Sequence, residues 1–358
     1  MIKPIHKISC SPALAACQRL MQTFTLWLCD VGVNGTSVTQ TNLQGKMPSV
    51  IEADWLWGLL QREQGGKLLL DRAKILANLS PKKKQDLADW IQGVAKVADH
   101  FGPTPPAALP TTAPLGKDSW MAFKTLMSAF YDKGLCGTGL PYTDSGVPTN
   151  TKDDWLTYKK FVDEFRKRHR IDLDPYAREI CVLCGGELTQ THVDHWIYKA
   201  AFPLLAVCAD NLLPICSECN STSNKGINKV HTKGSFADWF HPYLRHANGA
   251  IVLRYDPVKF EISVTITNSS DSNRVRNLDT LLNLSTRWTK EFKAEYRKKQ
   301  KQLADRQIRG LNPHNAAGLQ QWLQDYRDDL SNSEPHYEVH CVLAEALLDP
   351  ARMLALLG

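Results

Sequence analysis

Two Cys-x-x-Cys pairs, Cys181/Cys184 and Cys216/Cys219, constrain this chain more than any other feature, because they require two turns separated by 31 residues to meet. A Cys-x-x-Cys turn points two thiolates at one ion about 2.3 Å away, and two such turns complete a tetrahedron of sulfur. Gly185 and Gly186, directly after Cys184, suit the tight knuckle that brings backbone amides toward sulfur. A simple zinc ribbon leaves roughly 15–20 residues between its pairs, so the longer gap here must hold a folded insertion. A redox Cys-x-x-Cys needs only one pair and a βαβ setting, which is absent. The spacing therefore predicts a structural zinc held by Cys181, Cys184, Cys216 and Cys219.

Within the insertion, Thr191-His192-Val193-Asp194-His195-Trp196-Ile197 alternates polar and apolar side chains as a half-buried strand does. His192 and Asp194 then share one face and His195 lies opposite. Asn211-Leu212-Leu213-Pro214-Ile215 leads into the second knuckle, and Asn220 to Lys225 reads as a short helix begun by that knuckle. The expected unit is a hairpin followed by a helix.

These residues resemble the HNH nucleases, the ββα-metal or His-Me finger superfamily, in the variant that frames the core with four zinc cysteines. Asp194-His195 looks like the family's Asp-His pair, Asn211 like its middle asparagine, Asn220 like its final His/Asn, and Lys225 like a lysine often found just beyond. The resemblance covers roughly residues 176–230. One departure is that the proline common shortly after the Asp-His pair is missing, this chain having Trp196-Ile197-Tyr198-Lys199.

The resemblance implies an endonuclease that hydrolyses DNA, most naturally double-stranded, to 5′-phosphate and 3′-hydroxyl ends. It also gives Asn211 the task of bridging backbone groups so that His195 stays in register. The chemistry can be argued from the residues as well. Phosphodiester hydrolysis needs a water deprotonated near neutral pH, and imidazole is the side chain whose ordinary pKa lies there, which suits His195 as general base. A hard divalent ion, Mg²⁺ or Mn²⁺, held by the Asp194 carboxylate and the Asn220 amide oxygen, would neutralise the charge on phosphate and leaving oxygen. Singly these residues mean little: an Asp-His dipeptide is common, and an asparagine after a zinc cysteine is often only a helix cap. Their conjunction inside a four-cysteine frame carries the reading. His192 is either a further phosphate or metal contact or a strand histidine with a structural hydrogen bond.

The rest of the chain sets the context. Its 358 residues, 43% hydrophobic, suffice for two or three compact units. Helices are expected over 12–30, opened by Ser11-Pro12, over 51–60, and after Ser80-Pro81, where Leu87, Trp90, Ile91, Val94 and Val97 recur at helical spacing. Prolines 103, 105, 106, 110 and 114 forbid a regular element. The division expected is an N-terminal helical unit (1–102), a Pro-rich linker (103–118), a nuclease domain with helical lead-in (119–235, core 176–230) and a C-terminal hairpin plus helices (236–358). The fold class is α+β and mostly α-helical, with the nuclease core at its centre.

The net charge of +6 permits nucleic-acid binding without arguing for it, so the distribution matters. Arg166, Lys167, Arg168 and Arg170 end the lead-in helix and, with Lys225, are candidates for phosphate contact. Residues 281–310 carry nine Lys/Arg against three acidic residues, a net of +6 in one helix. Either basic segment is equally well explained as a solvated surface.

The six remaining cysteines lack disulfide-framework spacing, which fits a reducing, cytoplasmic setting. Leu14-Ala15-Ala16-Cys17 has the form of a lipoprotein cleavage box, but Ile8 to Ala13 is too short and polar to precede one. No apolar run is long enough to span a membrane, so no membrane partner is expected. P-loop, nucleophile-elbow and Rossmann glycine patterns are missing. A place in bacterial restriction or anti-phage defence follows only by fold-level analogy. Two other classes stay open: a zinc-stapled module that binds nucleic acid without cutting it, and a nuclease subunit that is silent without a partner protein such as an ATPase.

Overall fold

In this computed structural model, the residues described are 3–172, 174, 176–226, 228–310 and 315–357. Helices dominate, with two small antiparallel sheets. The N-terminal part runs through α1 (Ser11–Leu28), α2 (Gln40–Lys46), α3 (Val50–Leu60), α4 (Leu69–Ala77) and α5 (Pro81–Ala95). Their ends follow from local chemistry. Pro12 and Pro81 stand in the first turns of α1 and α5, where a missing N–H costs nothing. Ser49 caps α3 by accepting from the Glu52 amide, and its hydroxyl donates to the Glu52 carboxylate at 2.6 Å. In α5 the expected stripe is buried through Leu87, Trp90, Ile91 and Val94; Val97 falls in the following 3₁₀ turn and is buried too.

The Pro-rich stretch carries no helix or strand, yet Leu109 and Ala113 are buried and Pro110 accepts a hydrogen bond from the Trp90 indole at 2.8 Å. Leu109 also donates its amide to the Gly234 carbonyl at 3.1 Å. A side chain at Gly234 would place its Cβ 1.9 Å from the Leu109 carbonyl oxygen, and its φ of +87° is one that glycine alone adopts cheaply. Buried apolar residues form one cluster that reaches from Ile5 to Leu347.

Next come α6 (Lys117–Ala129), which continues as a π-helical segment over Phe130–Thr138, and α7 (Tyr158–His169). The insertion between the cysteine pairs contributes β1 (Thr191–His195) and β2 (Leu212–Cys216), antiparallel, with His195 opposite Leu212 and Thr191 opposite Cys216. The half-buried strand expected from alternation is only partly realised. His192 is exposed as the pattern required, but Asp194, His195, Trp196 and Ile197 are all buried, and so is the whole of β2. Packing from both sides overrides the alternation, since the π-helical segment reaches one part of this sheet and the loop after β1 folds back over another. The short helix expected from Asn220 to Lys225 is absent. That stretch is a series of tight turns, with Asn220 donating to the Cys216 carbonyl, Asn224 to Ser221 and Lys225 to Cys219. The knuckle's own turn uses these amides before an α-helical ladder can start.

The C-terminal part has the expected hairpin, β3 (Ile251–Asp256) and β4 (Glu261–Ile266), followed by α8 (Ser272–Leu282), α9 (Leu284–Ile308), α10 (Ala316–Asp328), α11 (Tyr337–Leu347) and α12 (Pro350–Leu357). The basic helix expected over 281–310 is therefore two: Asn283, with φ +52°, breaks it after Leu282. Helix α9 runs along the outer edge of β4. The Ser285 hydroxyl accepts from the Val264 amide at 3.3 Å, and the Thr289 hydroxyl both accepts from the Ile262 amide and donates to its carbonyl, at 2.8 and 3.2 Å.

Arg245 fastens the region after the insertion to the N-terminal helices. Its guanidinium donates to the carbonyls of Phe101 and Gly102 at 3.0 and 2.9 Å and to those of Phe236 and Ala237 at 3.0 Å. Beside it His241 is buried against the Phe101 ring at 4.5 Å. Burial, aided by the His246 and Arg245 charges, pushes His241 down to about 3. The unfolded chain thus binds a proton near pH 6.5 that the folded one refuses, so stability is complete above that pH and is lost as pH falls toward 3. The urea midpoint of the full chain should drop across this window, and His241→Gln should drop less steeply between pH 6.5 and 4. Equal slopes for the two proteins would show that His241 does not contribute.

Candidate active site and metal centre

The two knuckles meet as the spacing required. All four sulfurs of Cys181, Cys184, Cys216 and Cys219 are buried and lie within 4.8 Å of one another, with Cys184 and Cys216 Sγ 3.8 Å apart. A tetrahedron with 2.3 Å arms has edges of about 3.8 Å, so the cluster fits a metal ion such as zinc. Amides turn toward sulfur as expected: Gly186 donates to Cys184 and Cys219 to Cys216, both at 3.4 Å. Four thiols this close cannot all ionise without a cation among them. Cys181 is drawn below its ordinary value, chiefly through its hydrogen bond with Cys184, while Cys219 is pushed well above, chiefly through its hydrogen bond with Cys181.

Elements far along the chain close over the knuckles. The Trp288 indole donates to the Cys184 carbonyl at 3.0 Å, the His336 amide to Gly185 at 2.7 Å, and Arg287 reaches Cys219 Sγ at 3.4 Å and Glu218 at 2.7 Å. Burial pulls the Arg287 guanidinium toward losing its proton, but Cys219, Cys184 and Glu218 outweigh it and hold the charge more firmly than in water. Sequence spacing gave no sign of Arg287 as a partner of the cluster. Only the docking of α9 reveals it.

Next to the cluster, β1 ends in Asp194 and His195. The Asn211 side chain bridges backbone groups of the turn that follows β1. Its Oδ1 accepts from the Ile197 amide at 2.6 Å, and its Nδ2 donates to the Ile197 and Leu205 carbonyls at 3.0 and 3.1 Å. With the Trp196 amide bonded to the Asn211 carbonyl at 2.8 Å, the turn out of β1 is pinned without a proline. The His195 ring is thereby fixed with Nε2 2.9 Å from the Ala206 carbonyl. A carbonyl only accepts, so Nε2 carries the hydrogen and Nδ1 keeps the lone pair. Burial, with Lys199 nearby, pushes His195 down to about 3, leaving the ring neutral.

Lys225 was expected at a substrate phosphate. Instead it has no exposed surface, and its Nζ lies 2.9 Å from Asp194 Oδ2 and donates to the His195 carbonyl at 3.1 Å. A lysine taken fully out of water needs a counter-ion, and Asp194 is the acid within reach. Burial raises the Asp194 carboxyl above its ordinary value, against the downward pull of Lys225. Asn220 is partly exposed and is tied through its backbone to Cys216. Asp194 carboxylate and Asn220 amide are hard oxygen donors of the kind Mg²⁺ and Mn²⁺ take.

Tyr131, from the π-helical segment, covers the site. Its ring meets the His195 ring edge-on with centroids 4.6 Å apart, and His195 is only 7% exposed. Lys199 holds this segment down, 2.8 Å from Asp132 and over the Tyr131 ring at 4.8 Å. Nothing in the spacing of the sequence pointed to Tyr131, because the contact joins a helix end to a strand more than sixty residues away.

Of the basic run on α7, Arg166 and Arg170 both pair with Glu179, and Lys167 lies 3.8 Å from Glu164; Arg168 is exposed. No helix among the described residues is long and apolar enough to cross a membrane. Comparison with protein-family models, with curated proteins and with solved structures gave no match.

The purified protein should contain about one zinc. Because metal affinity of such a site is also folding free energy, on the order of 10 kcal/mol, Cys216→Ser should lose the metal and become insoluble or unfold. A soluble, cooperatively folding, zinc-free Cys216→Ser protein would rule out the staple.

Proposed function

We propose that the chain is a metal-dependent endonuclease of the HNH type, hydrolysing phosphodiester bonds of DNA, with a structural zinc at the four cysteines. The observation that carries this reading is the state of His195: Asn211 pins the turn behind it, and the Ala206 carbonyl takes Nε2–H, so that Nδ1 is left as a neutral, oriented base. A histidine serving only to fill a core needs no such three-point clamp on the loop that follows it.

In this reading Nδ1 takes the proton of the attacking water, while the Nε2–H···O bond holds the ring and disperses the charge that arrives. Burial keeps the ring unprotonated beforehand. The growing negative charge on the phosphorane then raises its proton affinity when the proton must be accepted. A divalent ion held by Asp194 and Asn220 would supply charge to neutralise the leaving 3′ oxygen.

Asp194, His195 and Lys225 are each less than a tenth exposed in this arrangement, which favours a second component of the reading: the site is closed until the 130–138 segment moves. A partner protein such as an ATPase, or the substrate itself, would supply the displacement. The buried Lys225 then acts as a stand-in cation that keeps Asp194 paired while the site is shut.

Supercoiled plasmid with Mg²⁺ or Mn²⁺ tests the chemistry. His195→Ala should keep its zinc and its fold while nicking falls by about 10²–10⁴. Asp194→Ala and Asn220→Ala should be partly rescued by raising Mn²⁺, since mass action refills a weakened site but not a missing base. A His195→Ala protein as active as its parent would falsify the assignment.

The closure has its own test. Asp132→Asn removes the ion pair to Lys199, and Tyr131→Ala removes the cover over His195. If closure limits activity by even 1.4 kcal/mol, each should raise nicking by the isolated protein about tenfold. Unchanged or lower rates in both would mean that the segment is no gate.

A further inference from the structure

We infer that one face of α9 is the rail on which the phosphate backbone of a DNA duplex lies. This inference rests on the nuclease reading and names the surface that reading requires.

At 100° per residue, Lys290, Lys293, Arg297 and Lys301 fall within one narrow arc of α9, opposite the buried face formed by Trp288, Phe292 and Leu303. From Lys290 to Lys301, eleven rises of about 1.5 Å, the stripe is about 16 Å long. One strand of B-DNA carries a phosphate for every 3.4 Å of axis, so about five phosphates lie alongside a stripe of that length. Lys290, Arg297 and Lys301 are exposed, and among the described residues none of the four is in an ion pair with an acid. The helix's remaining cations are largely committed elsewhere: Arg287 to Glu218 and Cys219, and Lys298 and Lys299 to Glu295. The stripe is what is left over, and it borders a groove of about 610 Å³ between α9 and β4 in which Thr286 adds an exposed hydroxyl.

Position argues for the same partner. One turn before Lys290, Arg287 touches Cys219, and the residue after Cys219 is Asn220, the candidate ligand of the catalytic ion. The rail therefore starts at the knuckle that carries the site. An acidic protein would need apolar anchors at the centre of its interface. The stripe offers cations and hydroxyls instead. The α7 run competes less well, because Glu179 and Glu164 balance half of its four charges and Glu179 holds both Arg166 and Arg170.

The test uses the full-length, zinc-loaded protein and a fluorescein-labelled 30-base-pair duplex, with no added Mg²⁺ or Mn²⁺, followed by anisotropy between 50 and 200 mM KCl. The triple variant Lys290→Gln/Arg297→Gln/Lys301→Gln should bind at least tenfold more weakly at 100 mM and flatten the log–log salt slope by roughly 0.9 per lost contact. Arg166→Gln/Lys167→Gln/Arg168→Gln should change the slope by less than one contact. Failure of the parent to bind the duplex, an unchanged slope in the α9 variant, or an equal loss in the α7 variant would overturn the inference. His195→Ala separates the two readings. A parent that binds through α9 but never cuts leaves the rail standing and removes the nuclease; a parent that cuts while the α9 variant binds normally does the reverse.

Discussion

Four sulfurs held at metal-binding distance are the constraint on which the rest of the site depends. The insertion between the knuckles has only two five-residue strands and little regular structure of its own, so propensity alone would not hold it. Joining Cys181 and Cys184 to Cys216 and Cys219 fixes both ends of that insertion, and Thr191 can then pair with Cys216 only in the register that puts His195 opposite Leu212. Trp288, Arg287 and His336 are also organised around the knuckles. The cluster thus sets the geometry of the candidate base on one side and the orientation of α9 on the other.

Much of the site's polar chemistry is buried and answered internally. Asn211 bonds three backbone groups with its amide, Lys225 and Asp194 form a buried ion pair, and His195 is neutral under Tyr131. Buried polar contacts of this kind rigidify their surroundings, and breaking one partner of a buried ion pair strands the other at a cost of several kcal/mol. Were this site to open as proposed, opening would be a discrete event with its own free energy.

What was legible in the sequence was whatever depended on short spacing. The cysteine pairs announced their cluster, Ser11-Pro12 and Ser80-Pro81 marked helix starts, and short strand-like runs located both hairpins. Asn211 was singled out by resemblance, not by any spacing of its own. What could not be read depended on contacts between distant elements. Alternation along β1 put His195 on a face of its own, but only the arrival of Tyr131 and the loop at Ala206 decided that this face is buried. Lys225 looked like a phosphate ligand because its partner Asp194 is distant in sequence. The stretch from Asn220 to Lys225 looked helical because the knuckle's claim on its amides is invisible to local propensity. In the same way the basic runs on α7 and α9 read alike until Glu179 was found beside one of them.

The hydroxyls along β4 carry a consequence for how this chain meets copies of itself. A two-stranded ribbon leaves amides and carbonyls facing outward on its outer edge, and such an edge is a template on which any extended segment can add as a third strand. Here Ser285 and Thr289 take those amides from the side, while α11 packs against β3. Two small side chains at one-turn spacing finish the ribbon at two strands. The same helix that presents its cations outward therefore occupies, on its inward side, two of the amides to which a further strand would pair.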